Sequence, residues 1–345
     1  MRSIAKKFFV GVLGASLLFG MNVEAAKSND QSWNLDDMIN PALRDDLSKM
    51  QPGELNASTL EESRRKLTPD PKTLPTDANV FVEDVTIIGA GVPDLRVRIY
   101  RPKTMLKEYP AILWTHGGGH ILGSPEMYET LLLKMAREIN CIIVAPDYRL
   151  APENPYPADV NDCYAALKWM TNKKKSRLPI KKDRVAVVGD SAGGGLAVAV
   201  AMKARDEKGP AICFDMPLYP QLDYKNTSES SQQITDPRVW NLKKDQFAWT
   251  SYIGSERTHV EKYASPALET DLSNMPPTYI MIGTLDMFRD DAIDYAQRLM
   301  NAKVPVELHV VPGAFHAFNT VFFDNPLSQS ITAEFIGVLK NALNN

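Results

Sequence analysis

Residues 185–198 leave the chain little conformational choice. They read Val-Ala-Val-Val-Gly-Asp-Ser-Ala-Gly-Gly-Gly-Leu-Ala-Val. A β-prone apolar run ends at Gly189, and an alanine-rich helical pattern begins just after Ser191. The chain must therefore pass from strand to helix almost at once. Gly189 and Gly193 suit that demand, because side chains at these two positions would collide across so sharp a turn. Ser191 is left at the start of a helix, where free N–H groups and the helix dipole favour negative charge. This is the pattern of a nucleophile elbow.

The surrounding pattern says what kind of sheet such a strand would join. Apolar runs at residues 111–114, 141–145, 184–188, 278–282 and 306–311 are each followed by a helical pattern. Those patterns lie near 128–139, 158–170, 192–206, 291–300 and 328–343. Continuous apolar strands joined by helical crossovers imply an α/β fold whose parallel sheet is covered on both faces. Two earlier runs differ. Residues 80–88, and Leu95, Val97 and Ile99 alternating with Arg96 and Arg98, have no helix between them and suggest an antiparallel edge. After the run at 211–218, a long interval carries Trp240, Phe247, Trp249 and Tyr252 before the strand at 278. Its length implies an inserted helical element. Lys173–Lys175 with Lys181 and Lys182 reads as a solvated loop.

The N-terminal part follows other rules. Arg2, Lys6 and Lys7 precede an apolar run at residues 8–19, and Val23 and Ala25 are small residues placed as a cleavage site needs. Residues 1–25 are therefore expected to be a signal peptide, with an uncleaved membrane anchor as the alternative, and the rest to be exported. Residues 27–77 are polar and proline-broken, yet Leu43, Leu47 and Met50 fall at helical spacing, and Ser58-x-x-Glu61 reads as a capping box opening a second helix. A net charge of −3 gives no electrostatic reason to expect nucleic acid or an anionic membrane as partner. Cys141, Cys163 and Cys213 sit in apolar contexts and read as buried small hydrophobes, without metal-ligand spacing.

A serine hydroxyl is a poor nucleophile until a base, an orienter for that base and donors for the oxyanion surround it. In a parallel sheet these belong beyond the C-terminal ends of strands. Of the five histidines, His316 lies in a loop just past the last strand and is the expected base, with a plain surface-loop residue as the alternative. His309 falls inside that strand, His259 lies in the insertion, and His116 and His120 flank Gly117-Gly118-Gly119. Asp286 follows the strand at 278–282 by a short loop and is the expected carboxylate. Asp290 and Asp291 look like the acidic opening of the next helix. The glycine triplet closes the strand at 111–114, where bare backbone can aim N–H groups at an oxyanion. His116 is expected to brace that loop.

Taken together, His116-Gly-Gly-Gly119, Asp147-Tyr-Arg-Leu-Ala-Pro-Glu153, Gly189-Asp-Ser-Ala-Gly-Gly194, Asp286 and His316 resemble the hormone-sensitive-lipase-like α/β-hydrolases, the bacterial family IV esterases. The similarity spans roughly residues 80–340 and uses these motifs in the family's order. It implies an α/β-hydrolase fold: a mostly parallel central sheet, helices on both faces and a helical cap. It assigns Ser191, Asp286 and His316 to catalysis and the amides of Gly118, Gly119 and Ala192 to the oxyanion hole. His116, Gly117, Gly189, Asp190 and Gly193 support the elbow and loop. Residues 26–77 and about 222–265 become two parts of a cap on a catalytic domain at 78–345. Three departures stand out. His120 replaces an aromatic residue after the triplet and suggests a more polar pocket. Met287-Phe288 replaces Pro-Leu after the acid, and Ala317 replaces glycine after His316.

The expected activity is secreted carboxylesterase action on short- to medium-chain acyl esters through an acyl-enzyme, with no metal and no organic cofactor. The partner is a small-molecule ester. The resemblance allows a homodimer and implies neither nucleic acid nor stable membrane insertion after signal cleavage. An amidase or deacetylase acting on acylated carbohydrate or other small molecules is the alternative within this chemistry. A ligand receptor without turnover is the alternative outside it.

Overall fold

The computed structural model describes residues 34–344, so the signal-peptide reading of residues 1–25 lies outside the described residues. The strands in chain order are β1 (Val80–Ile87), β2 (Leu95–Pro102), β3 (Tyr109–Thr115), β4 (Ile142–Pro146), β5 (Ile180–Asp190), β6 (Phe214–Leu218), β7 (Thr278–Leu285) and β8 (Val306–Phe315). They form one sheet in the order β1-β2-β4-β3-β5-β6-β7-β8. Strand β2 runs antiparallel to β1 and β4, and the other pairings are parallel. The alternation along β2 explains its place near the edge. Val97 and Ile99 are buried, while Arg96 pairs with Glu126 at 2.5 Å and Arg98 with Glu129 at 2.9 Å.

Inner strands divide their side chains between two cores. In β3, Ala111 and Leu113 join one cluster while Ile112 and Trp114 join the other. In β5, Val185 and Val187 part in the same way from Ala186 and Val188. Each large apolar side chain so buried contributes about 1.5–3 kcal/mol, which is available only if both faces are covered. Helices Glu129–Ile139, Arg289–Asn301 and Pro326–Asn344 bring Leu132, Leu299 and Phe335 to the face of Ile112 and Trp114. Helix Ala158–Met170 brings Cys163 and Leu167 to the face of Ala111 and Leu113. Helix Ala192–Asp206 reaches both clusters, with Val198 and Met202 in one and Ala197 and Val200 in the other. Its short side chains are what a helix wedged between two cores requires.

The N-terminal segment packs on this body. Leu35, Leu43 and Leu47, from the short helices Leu35–Met38, Pro41–Leu43 and Arg44–Lys49, are buried in the cluster that holds Trp114. The Ser58–Glu61 capping box does not form. Thr59 is the N-cap of helix Leu60–Leu67 without a side-chain cap bond. Asn56 Oδ1 instead accepts the Ser58 and Thr59 amides at 2.9 and 3.2 Å, and Ser58 Oγ at 2.7 Å. Asn56 thus takes the Ser58 amide that Glu61 would have accepted in the box, and the Ser58 hydroxyl is turned to Asn56 as well.

The interval between β6 and β7 contains helices Glu229–Gln233 and Leu242–Ile253. Ala248, Trp249 and Tyr252 of the second helix meet Leu55, Leu60, Ile121 and Leu122 in a separate apolar cluster. The two segments outside the sheet therefore share a core beside the glycine loop. Residues Lys173–Ser176 form a helical turn capped by Asn172, where a loop is expected from the sequence. Cys141, Cys163 and Cys213 are all free. Among the described residues no helix is long and apolar enough to cross a membrane.

Candidate active site

The turn after β5 is held against its own strain. Ser191 has φ +55° and ψ −124°, a conformation costing on the order of 1–3 kcal/mol. Its amide donates to Leu218 O at 2.9 Å, and its carbonyl accepts the amides of Gly195 and Gln221 at 3.1 and 3.0 Å. A Cβ at Gly189 would lie 2.2 Å from Thr115 Oγ1, and one at Gly193 2.1 Å from Thr115 O. The sequence needs glycine at both places because β3 passes directly beneath the elbow.

Beyond β8, His316 reaches this serine. Ser191 Oγ and His316 Nε2 are 2.9 Å apart, and His316 Nδ1 lies 2.7 Å from Asp286 Oδ2. A carboxylate only accepts, so Nδ1 carries the proton and Nε2 is free to accept from the serine hydroxyl. Asp286 is fully buried, and its other oxygen accepts the Phe288 amide at 2.9 Å. Asp290 is turned away, accepting the Ser230 amide at 2.7 Å. Tyr219 and Phe288 each meet the His316 ring edge-on at 5.1 Å, which leaves the imidazole one orientation.

The glycine loop is tied to the elbow through Asp190. Its Oδ1 accepts the Gly117 amide at 2.8 Å, and its Oδ2 accepts the hydroxyls of Tyr128 at 2.9 Å and Tyr219 at 3.3 Å. Burial pushes this carboxyl up to about 6, while the Tyr128 hydroxyl and nearby His316 favour its charged form. Gly118 and Gly119 have φ +123° and +62°, and a Cβ at Gly118 would lie 2.2 Å from Leu122 O. Among the described residues no hydrogen bond engages the amides of Gly118, Gly119 or Ala192.

The remaining histidines do other work. His116 Nδ1 lies 2.8 Å from Gly117 O, and its ring stacks on Tyr148 at 4.1 Å. Burial lowers it to about 4, so it is neutral at pH 7. His120, which stands where the family has an aromatic residue, is held by residues distant in sequence. It is buried, its Nδ1 lies 2.7 Å from Asp159 Oδ2, and its ring stacks on Tyr252 at 3.8 Å. A buried imidazole needs a polar partner, and Asp159 supplies one to Nδ1. His309 pairs with Glu334, and His259 is exposed. Tyr128, Tyr219, Gln221 and Asp245 carry no sequence signal of their own, and only the folded chain brings them to the site. Among the described residues no three His, Cys, Asp or Glu side chains converge as metal ligands would.

A family model described as the alpha/beta hydrolase fold matches residues 112–320. The chain belongs to the α/β-hydrolase family. Within it, this α/β-hydrolase falls in the hormone-sensitive-lipase-like, bacterial family IV group. It is 33% identical to carboxylesterase NlhH of Mycobacterium tuberculosis over 285 residues, which is 81% of this chain and 87% of that protein. Esterase LipI of the same organism is 33% identical over 262 residues, 75% of this chain and 81% of the relative. A solved structure, a bacterial heroin esterase, superposes with a TM-score of 0.84 at 32% identity, covering 90% of this chain and 100% of that one. This α/β-hydrolase is a serine hydrolase of carboxylic esters.

Proposed function

We propose that this α/β-hydrolase cleaves short- to medium-chain acyl esters through an acyl-enzyme on Ser191. The observation that carries the reading is the unbroken chain from Ser191 Oγ to His316 at 2.9 Å and from His316 to Asp286 at 2.7 Å. As Ser191 Oγ attacks the ester carbonyl carbon, its proton passes to His316 Nε2, and Asp286 balances the resulting imidazolium. The uncommitted amides of Gly118, Gly119 and Ala192 receive the oxyanion, each such donor contributing roughly 3 kcal/mol in the transition state. His316 then protonates the departing alkoxide. A water, deprotonated by the same nitrogen, attacks the acyl carbon and returns Ser191 to its hydroxyl.

The limit on acyl length is supported by the roof of the site. A Cβ at Gly119 would lie 2.6 Å from Trp240 Cη2 and 3.1 Å from Ala248 Cβ, so the insertion lies close against the oxyanion loop. Residues 26–77 and about 222–265 act as the cap, a role supported by the apolar cluster they share. The charged, apolar and small-residue pattern of residues 1–25 supports export. The test is a series of p-nitrophenyl esters of rising acyl length, run beside aryl amides. The highest kcat/KM is expected on acetate to hexanoate esters. Maximal rates on long-chain emulsions or on the amides would overturn the reading.

A further inference from the structure

Trp240 lies over the reacting groups as well as over Gly119, its ring 6.3 Å from that of His316. An indole in this place is only as effective as whatever holds it there. Its Nε1–H donates to Asp245 Oδ1 at 2.9 Å, and the same oxygen accepts Gln221 Nε2 at 2.6 Å. Gln221 in turn donates its backbone N–H to Ser191 O at 3.0 Å. One carboxylate oxygen thus connects the roof of the site to the peptide of Ser191.

Asp245 is an expensive choice for such a position. It is fully buried on helix Leu242–Ile253, and its Oδ2 has no partner of hydrogen-bonding geometry among the described residues, although Asn226 and the Trp249 indole lie near. A leucine would fill the space without the desolvation penalty of a buried carboxyl. What leucine cannot do is accept two N–H groups and so fix the angle of the indole.

We propose that Asp245 is a positioning residue that sets the size of the acyl group admitted, by holding Trp240 against the oxyanion loop. The proposal rests on the reading of Ser191 as nucleophile. It separates what forms the roof (Trp240) from what keeps it closed (Asp245). It assigns Gln221 the matching tie to the elbow.

The test compares kcat/KM for p-nitrophenyl acetate and octanoate in the wild type and in W240A, D245A, D245N, W240F and the double variant W240A/D245A. W240A should raise the octanoate-to-acetate ratio by about tenfold or more, as opening an apolar pocket by several methylenes does. D245A should raise it similarly, and the double variant no further, because both remove one barrier. D245N should keep the wild-type ratio, since its amide oxygen accepts both N–H groups. W240F keeps much of the ring but loses the donor, and should move the ratio in the direction of D245A. Equal losses on both esters in D245A, or a D245N that behaves like D245A, would overturn the proposal. Labelling with a fluorophosphonate distinguishes the two failures. Absence of a Ser191 adduct in the wild type would sink the nucleophile reading, whereas an adduct with unchanged ratios would sink this one.

Discussion

Asp190 Oδ1 accepts the Gly117 amide at 2.8 Å, so the residue before the nucleophile holds the first residue of the glycine triplet. Elbow and oxyanion loop come from different strands, β5 and β3, yet this bond makes them one rigid unit. Tyr128 and Tyr219 complete the carboxylate's coordination.

Replacing Asp190 with alanine should therefore lower kcat without removing a reacting group. Leaving a buried amide unpaired costs about 1–3 kcal/mol, which corresponds to a loss of about fivefold to 150-fold if it falls on the transition state. Asp190→Asn keeps an acceptor for Gly117 and should retain most of the activity. Steady-state kinetics of the two variants check this, and equal losses in both would argue that the charge matters rather than the brace.

Asp286→Asn tests the orienter. An amide N–H facing His316 Nδ1 favours the tautomer whose Nε2 carries the proton and cannot accept from Ser191. A fall in kcat of about 10⁴-fold with KM changed little is expected, measured on an activated acetate ester.

A third prediction concerns stability and pH. Asp215 in β6 is fully buried with neither oxygen hydrogen-bonded among the described residues, and burial pushes its carboxyl up to about 8 from the ordinary 3.8. The folded state thus binds a proton that the unfolded chain releases, and the stability this confers is lost as pH rises from about 4 to about 8. Asp215→Asn removes the titration. Urea midpoints of wild type relative to this variant should fall steadily across that range, and a constant difference would contradict the assignment.

Gly337 lies within helix Pro326–Asn344, and a Cβ there would meet nothing within 4 Å. Gly337→Ala should raise stability by about 1 kcal/mol in urea unfolding, through helix propensity alone. Gly193→Ala, with a backbone oxygen 2.1 Å from its Cβ, should give little folded protein.

The contrast between these two glycines shows how far the residues could be read before folding. Gly193 declared itself because strand, serine and helix crowd into one short segment, and Asp286 and His316 because each lies just beyond an apolar run; β7 and β8 run on to Leu285 and Phe315, so both residues follow their strands directly, without the loop expected from the sequence. The edge strands were legible for the same local reason: β2 alternates. Interactions decided by the third dimension were not. Ser58 has every mark of a cap, yet Asn56, two residues upstream, claims its amide and its hydroxyl. Nothing local to His120 reveals that Asp159, distant in sequence, engages its Nδ1. Trp240 and Asp245 sit in an interval with no periodic frame, and nothing local reveals that one holds the other over the catalytic serine.

The most direct measurement is the hydrolysis of p-nitrophenyl acetate by Ser191→Ala against wild type, with a thermal melt confirming the fold. Alanine fits the elbow, so the variant should melt as wild type does while kcat falls by about 10⁵-fold or more. A folded Ser191→Ala protein turning over within about tenfold of the wild-type rate would contradict the assignment of Ser191 as the nucleophile.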